Sequence, residues 1–234
     1  MPNNTLSFIY RLTAEDYDSG DFLIEIDKHS MTMISATQPP YPFWTQLTHQ
    51  QCRNCPLNVE QSPHCPVAVN LIPLLDLCGH MVSHKQMTVE VVTDRRTIVG
   101  GTTAQHITSS ILGLIMATSA CPHTEFLKPM ARFHLPLADQ DETVYRVTTM
   151  FLLAQYFRYK DGKPYSLELD ELLNIYQNLQ IINVHLTQRL KAAIREDAAV
   201  NGVILLDLLS KSVSWSIEDG LEEIHNLFSS YLKA

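Results

Sequence analysis

The chain has 234 residues, 45% of them hydrophobic and 18% charged. That is the balance of a globular protein with a real core, not of a disordered segment. A net charge of −8 and a pI of about 5.6 argue against a nucleic-acid binder, which needs clustered Lys and Arg. The basic residues here come only as short pairs such as Arg95-Arg96. The longest apolar runs, Ile111–Ala117 and Val203–Leu209, fall far short of the ~18–20 residues of a membrane span. The opening Met1-Pro2-Asn3-Asn4 is polar and lacks the apolar stretch of a secretory signal. With five cysteines, an odd number, this predicts reduced thiols in the cytoplasm rather than a disulfide framework.

Phe8, Tyr10 and Leu12 alternate with Ser7, Ile9 and Arg11, the period of a half-buried strand. A turn-rich stretch over Asp16–Asp21 follows, and Phe22–Ile26 and Met31–Ile34 flank Asp27–Ser30 as an expected hairpin. Pro39-Pro40-Tyr41-Pro42 marks a connector. A cysteine segment runs from His49 to Cys65, and Pro66 opens a helical pattern with Ala68, Leu71, Leu74 and Leu75 on one face. Pro73 inside it predicts a kink or break.

Met87–Val92 and Thr97–Val99 read as short strands around a turn at Asp94–Arg96. Gly100–Thr103 reads as a turn into a buried helix over Ala104–Thr118, and Asp139 with Glu142 forms a capping box for a helix running to about Tyr159. Leu172, Ile175, Leu179, Ile182 and Leu186 make a short heptad seam. Such a seam serves either packing within the chain or self-association. Val200–Val213 is apolar on more than one face, and Ser216 is placed to cap a final helix carrying Leu221, Ile224 and Leu227. The fold class is α+β. A small N-terminal antiparallel sheet with a cysteine loop (residues 1–100) precedes a mainly helical region (101–234), the two sharing one core.

The strongest chemical signal is His49-x2-Cys52-x2-Cys55-x9-Cys65. A Cys-x2-Cys turn presents two thiolates to one ion, and a third cysteine closes the loop onto it, as tetrahedral zinc requires. The expected metal ligands are Cys52, Cys55, Cys65 and His49, with His64, Cys78 and His80 as other sources of the fourth donor. An iron–sulfur cluster on Cys52, Cys55, Cys65 and Cys78 is the alternative. Cys55, Cys65 and Cys121 each precede a proline, which is common at cluster ligands, although the spacing matches neither ferredoxin pattern.

Cys121-Pro122-His123, with Arg132 and His134, forms a second constellation. A cysteine capping a helix N-terminus gains thiolate character, and a neighbouring histidine supplies a base. On that reading Cys121, His123 and His134 are candidate catalytic residues of a redox enzyme. The plainer reading is a capping cysteine and a core histidine. Gly100–Thr103 offers a third possibility, backbone N–H groups for a phosphate or carboxylate; it lacks the residues of a P-loop. Glu222-Glu223 reads as a solvated face.

The stretches Cys52–Leu57, Cys65–Ala68, Ser109–Pro122 and Lys128–Pro136 are together similar to an uncharacterised bacterial protein family known only as a domain of unknown function. That resemblance implies a bacterial cytosolic protein and carries no activity and no catalytic residue. The expectation from the residues is a non-enzymatic protein with a structural zinc. Its helical half would meet a protein partner or a second copy, with no nucleic acid and no membrane. A small-ligand-binding regulator stands as a further alternative.

Overall fold

The computed structural model describes residues 4–15, 17–193 and 197–233. Met1–Asn3 of the polar opening and Asp16 of the expected turn lie outside the described residues.

Strands β1 (Thr5–Ala14), β2 (Tyr17–Asp27), β3 (Gln86–Thr93) and β4 (Thr97–Thr103) form one antiparallel sheet in the order β2-β1-β3-β4. The alternation read from β1 sets its two faces. Leu6, Phe8, Tyr10 and Leu12 are buried together with Ile24, Ile26, Met87, Val89 and Val91 from its neighbours. On the opposite face Arg11 spans three strands, reaching Asp21 at 2.6 Å and Glu90 at 3.0 Å.

Helices α1 (Pro66–Cys78), α2 (Ala104–Thr118), α3 (Lys128–Arg132), α4 (Gln140–Lys160), α5 (Asp170–Lys191) and α6 (Ala198–Glu218) follow. In α2 the residues Ile107, Ile111, Leu114 and Ile115 are all but fully buried. The helix is enclosed because it packs on α1, α6 and the sheet at once. Its crossing with α6 is close: a Cβ on Gly202 would stand 3.1 Å from Leu112 Cδ1, Ser109 N and Thr108 Cγ2. The buried side chains of sheet and helices form one cluster. The seam residues Leu172, Leu179, Ile182 and Leu186 are buried within it, where α5 packs on α6.

Four local expectations change. Met31–Ile34 adds no full strand. Met33 bridges Ile26 and sends its N–H to the Thr118 carbonyl at the end of α2 (2.8 Å), so the segment divides its bonds between sheet and helix. Gly100 and Gly101 lie within β4, opposite Val89 and Thr88, so the ladder uses their backbone groups and no anion cradle forms. A Cβ at Gly100 would stand 3.0 Å from Leu137 Cδ1; the glycine admits that close approach. Helix α1 continues through Pro73. The missing N–H removes one helical bond, but Leu71, Leu74 and Leu75 are held in the core on either side. Helix α6 runs past Ser216, and the left-handed residues Gly220 and Leu221 end it. The last residues fold as short turns, Glu222–His225 and Ser229–Leu232.

Candidate metal centre

The cysteine loop lacks apolar periodicity, so polar bonds must shape it. Cys55 donates its N–H to the Cys52 carbonyl at 2.9 Å, the tight turn expected of Cys-x2-Cys. Cys65 stands at the N-cap of α1 in extended backbone, and its N–H meets the Thr45 carbonyl at 2.8 Å. Arg189 of α5, 3% exposed, anchors the preceding segment. It donates to the carbonyl oxygens of Trp44 and Gln46 and reaches that of Leu47 at 3.5 Å.

Cys121 follows α2 just after Ala120, whose left-handed backbone closes that helix. Two bonds bring this corner to the cysteine loop. His123 donates from Nε2 to the Asn54 carbonyl at 2.6 Å, inside the Cys52–Cys55 turn. Asn70 of α1 donates to Ser119 Oγ at 3.0 Å. Asn54 itself donates to Asn178 of α5 at 2.8 Å.

Three separate segments thereby bring Cys52, Cys55, Cys65 and Cys121 into mutual electrostatic range. Burial pushes the Cys52 thiol up to about 12, and negative charge on Cys65, Cys55 and Cys121 adds to the rise, while Arg189 opposes it. Burial likewise raises Cys121, with Cys65 and Cys55 adding to it. Arg189 is lowered by burial and raised by the same loop thiols, those of Cys65, Cys52 and Cys55. As the side chains stand, no three His, Cys, Asp or Glu among the described residues are grouped to hold a metal ion.

The other donors considered from the sequence go elsewhere. Cys78 ends α1, thirteen residues beyond Cys65, which is about 20 Å at ~1.5 Å per residue. Buried there beside Thr108, it is too far from the loop to complete a cluster with Cys65. His64 binds Thr45 Oγ1 through Nδ1 at 2.7 Å and lies edge-on to Tyr41. His49 lies edge-on to Phe43, and its Nε2 is buried without a hydrogen-bond partner among the described residues.

The catalytic reading of Cys121 rested on a helix starting at Pro122. Residues 122–124 are instead a turn, followed by a single 3-10 turn over Glu125–Leu127 and the five-residue α3. The thiol is therefore raised by burial rather than lowered by a helix end. His123 is committed to Asn54. His134 is hydrogen-bonded to Tyr10 and lies edge-on to Phe8, and burial pushes it down to about 3, so its ring is neutral.

Sequence reasoning passed over Arg189 and set Cys121 apart. The signal that joins Cys121 to the loop was present: Cys55, Cys65 and Cys121 share a following proline.

The family model described as a domain of unknown function (DUF6901) matches residues 8–229, so the chain belongs to that family. No curated protein and no solved structure matches it.

Proposed function

We propose that this DUF6901 member is a metal-binding protein whose ion sits among the thiolates of Cys52, Cys55, Cys65 and Cys121 and fastens the cysteine loop to α1 and α2. The observation that carries this reading is that the three loop thiols, Cys52, Cys55 and Cys65, share the Arg189 guanidinium, and that Cys121, from the turn after α2, lies within electrostatic range of those same thiols. Four partly hidden thiols, three of them at Cys-Pro corners, have little packing value that alanine or serine would not supply. Closing on an ion would require these side chains to move from the positions they hold.

Four thiolates around Zn2+ fill its tetrahedral shell and leave no position for a substrate, which favours a structural role over catalysis. Such a site carries a formal charge of −2, and Arg189 beside it offsets part of that. In this reading Cys121 replaces His49 as fourth ligand. The same four thiolates suit an iron–sulfur cluster, the second reading, favoured by the proline after three of them.

The helical half would supply the contact surface for a partner or a second copy. In support, α4 leaves Leu153, Tyr156, Phe157 and Tyr159 exposed.

Metal analysis and an absorption spectrum of untagged protein test the proposal. The expected result is about one zinc per chain, retained in His49→Ala and lost in Cys121→Ser. Brown protein with iron and sulfide supports the second reading. Fully folded protein that binds neither metal overturns both.

A further inference from the structure

A cavity of about 350 Å3 lies among α2, α4, α5, α6 and the segment after α3, large enough for a small organic ligand. Its walls are largely aliphatic, with Leu114, Leu127, Leu137, Leu179 and Leu206 among them. Arg146 and Tyr176 interrupt them.

Arg146 is a half-buried cation that makes no ion pair among the described residues, although the charge of Glu142 acts on it from a distance. Its Nη2 donates to the carbonyls of Met130 and Phe133 at 3.2 and 3.0 Å, and no carboxylate among the described residues lies within 4.0 Å of it. Glu142, one turn earlier on α4, is engaged with the Asp139 N–H in the capping box. The Tyr176 ring is buried and its hydroxyl has no hydrogen-bond partner among the described residues. The two groups sense one another's charge, so they lie at the same end of the cavity. Two histidines also line the wall: His134 is neutral and occupied by Tyr10, and His106 is paired through Nδ1 with Thr103 Oγ1 at 2.8 Å.

We propose that the cavity binds a medium-chain carboxylic acid, its chain along the leucines and its carboxylate on Arg146 with the Tyr176 hydroxyl donating. A single guanidinium balances one negative charge, and burying a phosphate dianion there would leave charge uncompensated. A neutral alcohol of the same length fills the leucine wall and leaves Arg146 as it was. This site is separate from the cysteine corner and stands whether or not that corner holds a metal.

Binding to the full chain is measured by calorimetry and thermal shift with decanoate and decyltrimethylammonium below their micellar concentrations and decanol below its solubility limit. Decanoate should bind at least about tenfold more tightly than decanol, the scale of one charge-assisted pair, and the cation should not bind. Arg146→Gln should remove the preference and Arg146→Lys should keep it. Because Arg146 also holds two carbonyls, a third variant, Leu206→Trp, fills the cavity without touching the charge. It should abolish binding of both decanoate and decanol while the circular dichroism spectrum is unchanged. Equal affinity for acid and alcohol, absence of binding, or binding that survives Leu206→Trp overturns the proposal.

Discussion

His123 reaches across from the turn after α2 and donates its Nε2 proton to the Asn54 carbonyl at 2.6 Å. One bond thus sets the position of the Cys52–Cys55 turn relative to Cys121. In the proposed metal centre such a donor would orient ligands rather than bind the ion, and removing one typically costs ten- to a hundredfold in metal affinity. His123→Ala is therefore expected to weaken zinc retention by roughly tenfold or more against a competing chelator. His123→Gln, which keeps a donor, should recover part of it. Equal retention by wild type and His123→Ala would detach this bond from the site.

Arg189 holds three carbonyls of the segment before the cysteines. Replacing it with methionine fills the space but leaves those oxygens short of donors in a buried place. The expected loss is about 3 kcal/mol of unfolding free energy, read as a shift in urea midpoint at constant slope. Arg189→Lys offers a point charge in place of a planar fork and should recover only part. A shift of under about 1 kcal/mol for Arg189→Met would mean that water replaces the guanidinium.

Two glycines should respond in opposite directions to the same change. At Gly202 a new Cβ meets backbone at 3.1 Å, whereas at Gly113 the nearest atom is Leu206 Cδ2 at 3.7 Å. Both gain about 1 kcal/mol of helix propensity from alanine. At Gly202 overpacking costs about 1–3 kcal/mol and outweighs it. Gly202→Ala is thus expected to lower the melting temperature and Gly113→Ala to raise it. The same sign for both would contradict the tight α2–α6 crossing.

Stability should fall on mild acidification because of His134. Its folded pKa, about 3, lies below its ordinary value of 6.5 through burial, with Arg146 adding to the effect. The unfolded chain binds the proton more readily, so the neutral ring's contribution is complete above about pH 6.5 and declines below it. Asp21, Asp27 and Asp197, whose pKa values are lowered by hydrogen bonds to Arg11, Ser30 and Ser83 respectively, begin to weaken the fold only nearer pH 4. Between pH 6.5 and about 4.5 the slope should approach at most about 1.4 kcal/mol per pH unit. In His134→Gln it should flatten, at a lower plateau. An unchanged slope in that variant would assign the loss to another group.

What was legible in the sequence is what short-range periodicity governs. The bounds of α2, the Asp139 capping box and the alternation of β1 each depend on residues a few positions apart, and each is found as read. The strand through Gly100 and Gly101 was not, because its identity comes from pairing with β3, and glycine carries little strand signal of its own. Cys78 looked available because its sequence spacing says nothing of the rigid helix that carries it away. Arg189 was invisible for a similar reason: a lone arginine late in an amphipathic helix reads as solvent-facing until the carbonyls it serves are in place.

Those carbonyls belong to residues more than 140 positions earlier in the chain. On the ribosome the loop with its three cysteines, and then Cys121, emerge before α5, and synthesis adds only about 5–20 residues each second. For that interval of many seconds the clamp that shapes the loop does not exist, and the thiols stand open to oxidants and to stray metal ions. The nascent chain is therefore most vulnerable at a loop that the finished fold holds in place and partly covers.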